Sequence, residues 1–98
     1  MTLKNKIQEI LKFICVVHEL NFSEKEKEQI FSVMLTPSEI EVLSQRIRVL
    51  ELLHEGKSQR DVSDQLGVGV ATATRGNRML KENTELLSKI LKKGSSCS

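Results

Sequence analysis

One stretch of the sequence, residues 58–81, combines an excess of basic over acidic side chains with several hydroxyl groups, and it reads SQRDVSDQLGVGVATATRGNRMLK. Residues 57–81 carry five basic and two acidic side chains, whereas residues 1–56 carry seven basic and nine acidic ones. Guanidinium, ammonium and hydroxyl groups all donate hydrogen bonds to phosphate oxygens. The stretch is therefore a candidate surface for a nucleic acid, although a solvated helix face would have a similar composition.

Side chains suited to catalysis or to metal binding are sparse in this sequence. The two histidines, His18 and His54, lack a nucleophile or a second metal ligand at a useful spacing, and no pair of carboxylates lies on an apolar face. The two cysteines do not form a disulfide framework, and Cys15 lies in an apolar run where we expect it to be buried. We therefore expect a protein that is not an enzyme and that uses no metal or enzymatic cofactor.

The elements that position the basic side chains can be read from helix-capping signals. Ser58 is suited to cap a helix, with Asp61 three residues later. Gly67 stands where that helix would end with a residue at positive φ. A second helix is expected to begin near Val70. Residues 58–81 therefore predict a helix-turn-helix with an anchoring helix, a glycine-bearing turn and a recognition helix.

Helical patterns also fill the rest of the chain. Apolar residues recur at helical spacing, capping boxes precede several of these runs, and no segment shows the alternation of a strand. The further predicted helices are residues 3–20, 23–34, 36–55 and, at the end, 83 or 84 to 93. Asn21 and Gly56 can end the first and third of these, Ser23 and Glu26 form a capping box at the start of the second, and the apolar sides of the first two are expected to be buried. The sequence thus predicts an all-α fold with about six helices.

One arginine of the third predicted helix lies where an apolar residue is expected. Arg46 is four residues after Val42 and three before Val49, within one apolar stripe. A buried charge needs a partner, so Arg46 could pair with a carboxylate at a subunit contact or extend to solvent. Alternatively, its partner is a ligand, and periodicity alone leaves these readings open.

The length and composition of the chain limit its organisation. With 98 residues and a net charge of +2, we expect a single domain over residues 1–93 and a disordered tail over residues 94–98. A domain of this size has a thin core, and oligomerisation is one remedy. No apolar run has the length of a signal segment or a membrane span, so we expect a cytoplasmic protein without membrane partners.

Four separated motifs point to a known family. They are MLTP at 34–37, RIR at 46–48, SQR at 58–60 and GVATATRG at 69–76. Residues 34–81, about half of the chain, contain these motifs in this order. They resemble the tryptophan (Trp operon) repressors of bacteria. The resemblance implies a ligand-dependent transcriptional repressor that binds a palindromic double-stranded operator as an intertwined homodimer, with L-tryptophan as corepressor.

The resemblance also implies how the ligand is held. In the family the indole lies between two arginines, which match Arg46 and Arg75, and the ligand carboxylate is held by the second of them and by a threonine that matches Thr36. Carbonyls near Val33 and Leu35 receive the amino group. The implied tryptophan contacts are Val33, Leu35, Thr36, Arg46, Thr72, Arg75, Gly76 and Met79.

The DNA contacts implied by the resemblance lie in both helices of the helix-turn-helix. They are Gln59, Arg60, Gly69, Val70, Ala71, Thr72, Thr74, Arg78 and Lys81. Arg60 is the best candidate for a base contact, because arginine can bind guanine O6 and N7 together. At Val70, Ala71 and Thr72 the resemblance implies that bases are read partly through water.

The sequence departs from the family pattern in four places. Met79 replaces a serine that helps to fix the ligand's amino group, Ser63 replaces a lysine, and Arg78 stands where a polar amide is familiar. The connection at residues 56–58 is one residue short. These departures leave an alternative open, a DNA-binding regulator of the same fold that responds to another indole ligand or to none. A third hypothesis is a dimerising interaction protein whose helix-turn-helix binds a protein partner instead of DNA.

Overall fold

The fold consists of six α-helices, as seen in a computed structural model that describes the backbone of residues 1–94 and side chains through Lys92. The helices are α1 (Leu3–Glu19), α2 (Glu24–Met34), α3 (Pro37–His54), α4 (Gln59–Leu66), α5 (Val70–Glu82) and α6 (Thr84–Gly94). Residues 1–94 contain no strand, so the predicted all-α class is confirmed for them.

The chain divides into two compact units, Met1–Pro37 and a second unit that begins at Ser38. The single domain expected over residues 1–93 stays a prediction. The disordered tail expected over residues 94–98 lies outside the described residues, apart from Gly94, which is the last residue of α6.

Local capping defines both helices of the first unit. Asn21 follows α1 with a φ of +52°, the left-handed conformation that its sequence position predicted. Before α2, the Ser23 hydroxyl accepts a hydrogen bond from the Glu26 backbone N–H at 3.2 Å, and the Glu26 carboxylate accepts one from the Ser23 N–H at 3.0 Å. This reciprocal pair is the predicted capping box.

The burial expected for the first two helices is not found in the single chain. Neither α1 nor α2 contains a buried residue, and Leu3 and Val33 are 74% and 80% exposed. Cys15, expected to be buried, is also exposed, so that prediction was wrong for the isolated chain. The helical periodicity was correct, but a unit of two helices has too little apolar surface of its own to enclose these stripes.

The second unit has a small aliphatic core where three helices meet. α3 contributes Val49, Leu52 and Leu53, α4 contributes Val62, and α5 contributes Ala73. Val62 and Ala73 are fully buried. The core is surrounded by the partly buried side chains of Leu66, Val68 and Leu80. It therefore fixes α4 and α5 against the C-terminal half of α3.

Glycines and short polar side chains terminate these helices as the sequence predicted. After α3, Gly56 has a φ of +98° and donates its N–H to the Leu53 carbonyl, while the Lys57 N–H bonds to the Leu52 carbonyl, which together form a Schellman motif. The Ser58 hydroxyl accepts from the Asp61 N–H at 3.1 Å and caps α4.

The connection between α4 and α5 is held by one glycine and one hydroxyl. Gly67 ends α4 with a φ of +67°, which a residue with a Cβ would adopt at a cost. The Ser63 hydroxyl donates a hydrogen bond to the Val68 carbonyl at 2.6 Å. These two features turn the chain sharply into α5, which begins at Val70 as predicted.

Gly76 permits the close approach of α5 to α3, and its replacement should be costly. A Cβ added there would lie 2.5 Å from Val49 Cγ1, an atom of a side chain that is only 1% exposed. We predict that Gly76→Ala lowers the free energy of unfolding by about 1–3 kcal/mol, as overpacking of a core does.

The measurement is urea unfolding followed by circular dichroism at one fixed protein concentration. Gly69→Ala is the matched control, because nothing lies within 4 Å of its added Cβ and its φ of −65° suits alanine. It should change stability by less than about 1 kcal/mol. Equal losses in the two variants would contradict the close approach at Gly76.

Candidate functional site

The helical repeat places the side chains of α5 on three different faces of the helix. Ala73 and Leu80 turn toward the core with Gly76, and one face beside them borders a groove against α3. The remaining face is exposed and carries Val70, Thr74, Arg78 and Lys81, spaced at four, four and three residues. A single rigid helix therefore serves as one wall of a groove and also as an outer surface.

The groove between α3 and α5 has a volume of about 390 Å³. This is within the range of about 300–1,000 Å³ that small-molecule sites occupy. The lining residues are Val42, Gln45, Arg46, Val49, Leu50, Thr72, Arg75, Gly76 and Met79. Its walls are thus mainly apolar, with two guanidinium groups, one amide and one hydroxyl.

The two arginines of the groove have no partner among the described residues. Arg46 and Arg75 are exposed, and within residues 1–94 neither guanidinium makes an ion pair or a hydrogen bond. Arg48, on the same helix as Arg46, instead lies 3.9 Å from the Glu51 carboxylate. Guanidinium groups stack on aromatic rings and pair with carboxylates, so the groove suits an aromatic acid.

The groove collects five of the eight residues implied as tryptophan contacts. Arg46, Thr72, Arg75, Gly76 and Met79 all line it. The other three, Val33, Leu35 and Thr36, belong to the first unit, and their role as ligand contacts stays a prediction.

Four lining residues were not among the predicted contacts: Val42, Gln45, Val49 and Leu50. The apolar stripe that contains Val42 and Val49 was visible in the sequence, with Arg46 inside it. Gln45 lies between these two at helical spacing, three residues after one and four before the other. The stripe was the available signal, but periodicity could not indicate that α5 faces it.

Most of the residues implied as DNA contacts lie on the outer side of α4 and α5, whereas Thr72 lines the groove. Nearly all are exposed, including Val70 at 62% exposure, and Gln59 is half-buried. The set is Gln59, Arg60, Gly69, Val70, Ala71, Thr72, Thr74, Arg78 and Lys81. Three of them are cations, and the first turn of α5 adds backbone N–H groups without partners inside the helix, which favour anions.

One side-chain hydrogen bond joins α4 and α5 across this outer surface. The Thr74 hydroxyl donates to the Gln59 side-chain oxygen over 2.8 Å. Both residues belong to the implied DNA-contact set, although they are separated by 15 positions in the chain.

Other kinds of site receive no support from the described residues. No group of three or more His, Cys, Asp or Glu side chains within residues 1–94 is arranged to hold a metal ion. None of the helices in that range has both the length and the apolar composition that a membrane span needs.

One family of known proteins matches most of the chain. Residues 6–95 match the family described as Trp repressor protein. A Trp operon repressor homolog of Photobacterium profundum is 43% identical over 75 residues, which cover 71% of this chain and 73% of the relative.

Two further relatives carry the same description. The Trp operon repressor homolog of Aliivibrio salmonicida is 45% identical over 67 residues, covering 66% of this chain and 62% of the relative. That of Vibrio atlanticus is 48% identical over 59 residues, covering 59% and 60%. The chain thus spans about three fifths of the length of these two relatives.

The family match covers most of the chain, and the relatives share more than two fifths of the aligned residues. The chain therefore belongs to the Trp repressor family, which consists of regulatory proteins.

Proposed function

We propose that this chain is a transcriptional repressor that binds a palindromic operator as a homodimer and uses L-tryptophan as its corepressor. The observation that carries the proposal is a pair of guanidinium groups, those of Arg46 and Arg75, which lie in one apolar groove and have no partner among the described residues. One wall of that groove is α5, whose opposite face is basic and exposed. A ligand site and a DNA surface thus share one helix.

The dimer is supported by the apolar surface that a single chain leaves uncovered. α1 buries no residue, although Leu3, Ile10 and Leu20 are each more than half exposed. α2 likewise exposes Phe31 and Val33. A monomeric soluble protein rarely leaves so much contiguous apolar surface in water. Intertwining the N-terminal helices of two chains would bury these stripes and supply the core that the first unit of one chain lacks.

The ligand is supported by the chemistry of the groove. An indole ring fits between apolar walls, where guanidinium planes can stack on its faces. A carboxylate can accept hydrogen bonds from Arg75, and such charge-assisted bonds are strong. Tryptophan supplies both groups.

The coupling between ligand and DNA follows from the position of the groove. A ligand held between α3 and α5 would fix the tilt of α5, and hence the direction of its outer face. In helix-turn-helix dimers the two recognition helices must be one helical turn apart, about 34–36 Å, to enter successive major grooves. A ligand that favours this arrangement raises DNA affinity, and DNA raises ligand affinity by the same factor.

A related candidate function is a repressor of this family with a different indole ligand. The observation that favours it is the lining of the groove: Met79 is apolar, and none of the nine lining residues is acidic. The ammonium group of tryptophan therefore finds two cations and no carboxylate there. An indole acid without an amino group avoids that repulsion.

The first prediction from the proposed function concerns tryptophan-dependent DNA binding. A pool of random duplexes, enriched on the purified protein with L-tryptophan present, should yield a palindromic site. The protein should bind this duplex at least about fivefold more tightly with tryptophan than without it, as expected for a typical coupling between two sites. Equal affinities would rule out the corepressor role. Affinity independent of salt would instead favour a protein partner, because phosphate contacts release counterions.

The second prediction concerns the two arginines of the groove. Arg75→Ala should weaken tryptophan binding at least about tenfold in calorimetry, because a hydrogen bond to a charged group is worth about 1.5–3 kcal/mol. Arg46→Ala should also weaken it by removing one stacking face. Arg48→Ala is the control on the same helix, since its side chain pairs with Glu51 outside the groove. Full tryptophan affinity in Arg75→Ala would count against the groove as the site.

The third prediction separates the two ligand candidates. Calorimetry with tryptophan and with indole-3-propionate should give similar affinities if Met79 leaves the amino group without a partner. In Met79→Ser, a hydroxyl becomes available to the ammonium group, so the tryptophan affinity should rise relative to that of the desamino acid. If the wild-type protein already binds tryptophan much more tightly than indole-3-propionate, the hypothesis of a different indole ligand is wrong.

A further inference from the structure

The hydrogen bond between Thr74 and Gln59 assigns different roles to two residues of the outer surface. We propose that Thr74 acts in DNA binding by positioning the side-chain amide of Gln59, whose NH2 group then donates to a DNA phosphate. This inference rests on the proposed DNA-binding function. It goes beyond it in naming Thr74 as a positioning residue and Gln59 as the donor.

The placement of the pair follows from the packing of the two helices. Gln59 is the first residue of α4, directly after the Ser58 cap, and Thr74 lies on the outer face of α5. Val62 of α4 and Ala73 of α5 are buried in the same core, and the packing of this core sets the distance between these helices. At that separation the Thr74 hydroxyl reaches the Gln59 oxygen over 2.8 Å, so the bond is a consequence of how α4 and α5 dock.

The single hydroxyl proton of Thr74 distinguishes its role from the donor role of Gln59. A threonine hydroxyl has one proton, and here it is donated to the Gln59 oxygen. The hydroxyl then has only acceptor capacity left, and a phosphate oxygen is also an acceptor. Thr74 therefore cannot donate to a phosphate while this bond is formed.

The same bond leaves the amide of Gln59 ready to donate. Its oxygen is occupied by Thr74, whereas its NH2 group has no hydrogen-bond partner among the described residues. Two N–H donors are thus available on a surface that also carries Arg60 on α4 and Arg78 on α5. A DNA phosphate attracted by these cations would find the amide already oriented.

The benefit of this arrangement is preorganisation and not stability. An exposed hydrogen bond adds little to folding, because water competes for both groups. A free glutamine side chain, however, has many rotamers, and ordering it on binding lowers affinity. Holding Gln59 in place before DNA arrives removes that cost, which corresponds to about a three- to tenfold gain in affinity.

The test uses the 98-residue chain, the enriched duplex and saturating tryptophan. Thr74→Val, which keeps the shape but lacks the hydroxyl, should weaken binding about three- to tenfold, and Thr74→Ser should restore it. Gln59→Ala should weaken binding at least as much. In the Gln59→Ala background, Thr74→Val should have no further effect, because the hydroxyl then has nothing to position. Unfolding curves for each variant verify that the fold is retained.

A scan of the duplex with single methylphosphonate substitutions identifies the phosphate itself. Substitution at one phosphate position in each half-site should weaken DNA binding by the wild-type protein. The same substitution should have no effect on binding by Gln59→Ala or by Thr74→Val. A merely structural role of Thr74 would not erase one specific position.

Two results would overturn the assignment. Thr74 has no positioning role if Thr74→Val binds DNA as tightly as the wild type. It also has none if Thr74→Val and Gln59→Ala become insensitive to substitution at different phosphates and their losses of binding free energy add in the double variant. In both cases the protein still binds DNA, so the proposed function stands. If the wild-type protein enriches no duplex at all, the proposed function and the assignment fail together.

Discussion

The close approach of α5 to α3 at Gly76 is the constraint on which the rest of the second unit depends. A side chain at this position would meet the buried Val49, so the two helices can pack at this distance only because residue 76 lacks a Cβ. The approach brings Ala73 into the core and sets the width of the groove beside it. Thr72, Arg75 and Met79 then line that groove because they share a face of α5, three or four residues apart.

The outer face of α5 is fixed by the same contact. Val70, Thr74 and Arg78 lie on a different side of the helix from the groove residues, so any tilt of α5 relative to α3 changes both surfaces together. α4 is tied to this movement through Val62 in the core and through the hydrogen bond from Thr74 to Gln59. A ligand in the groove and a phosphate at the outer surface would consequently both act on the tilt of α5, and they are reciprocally coupled if they favour the same tilt.

The sequence predicted the features that are decided locally. The caps at Ser23 and Ser58 and the left-handed residues Asn21 and Gly67 depend on side chains within three or four positions, and the structure has them as expected. Burial was predicted less well. The stripe of α1 was recognised, but what covers a stripe depends on other elements or other chains, which periodicity does not identify. For the same reason Arg46 could be singled out, whereas Gln45 could not be assigned to the groove. The bond between residues 59 and 74 depends on how two helices dock, so no local pattern predicts it.

The electrostatics of the groove suggest why a ligand would matter to the arrangement of the helices. Arg46 and Arg75 place two positive charges on opposite walls, one on α3 and one on α5, and within residues 1–94 neither has a carboxylate partner. Like charges on facing walls repel, and this repulsion opposes the close approach that Gly76 permits. An anionic aromatic ligand would reverse the sign of this interaction, since its carboxylate attracts the guanidiniums and its ring offers them a stacking surface. Because solvent screens exposed charges, the effect is modest for each pair. It nevertheless acts at the α3–α5 contact, where a small change in tilt redirects the whole outer face of α5.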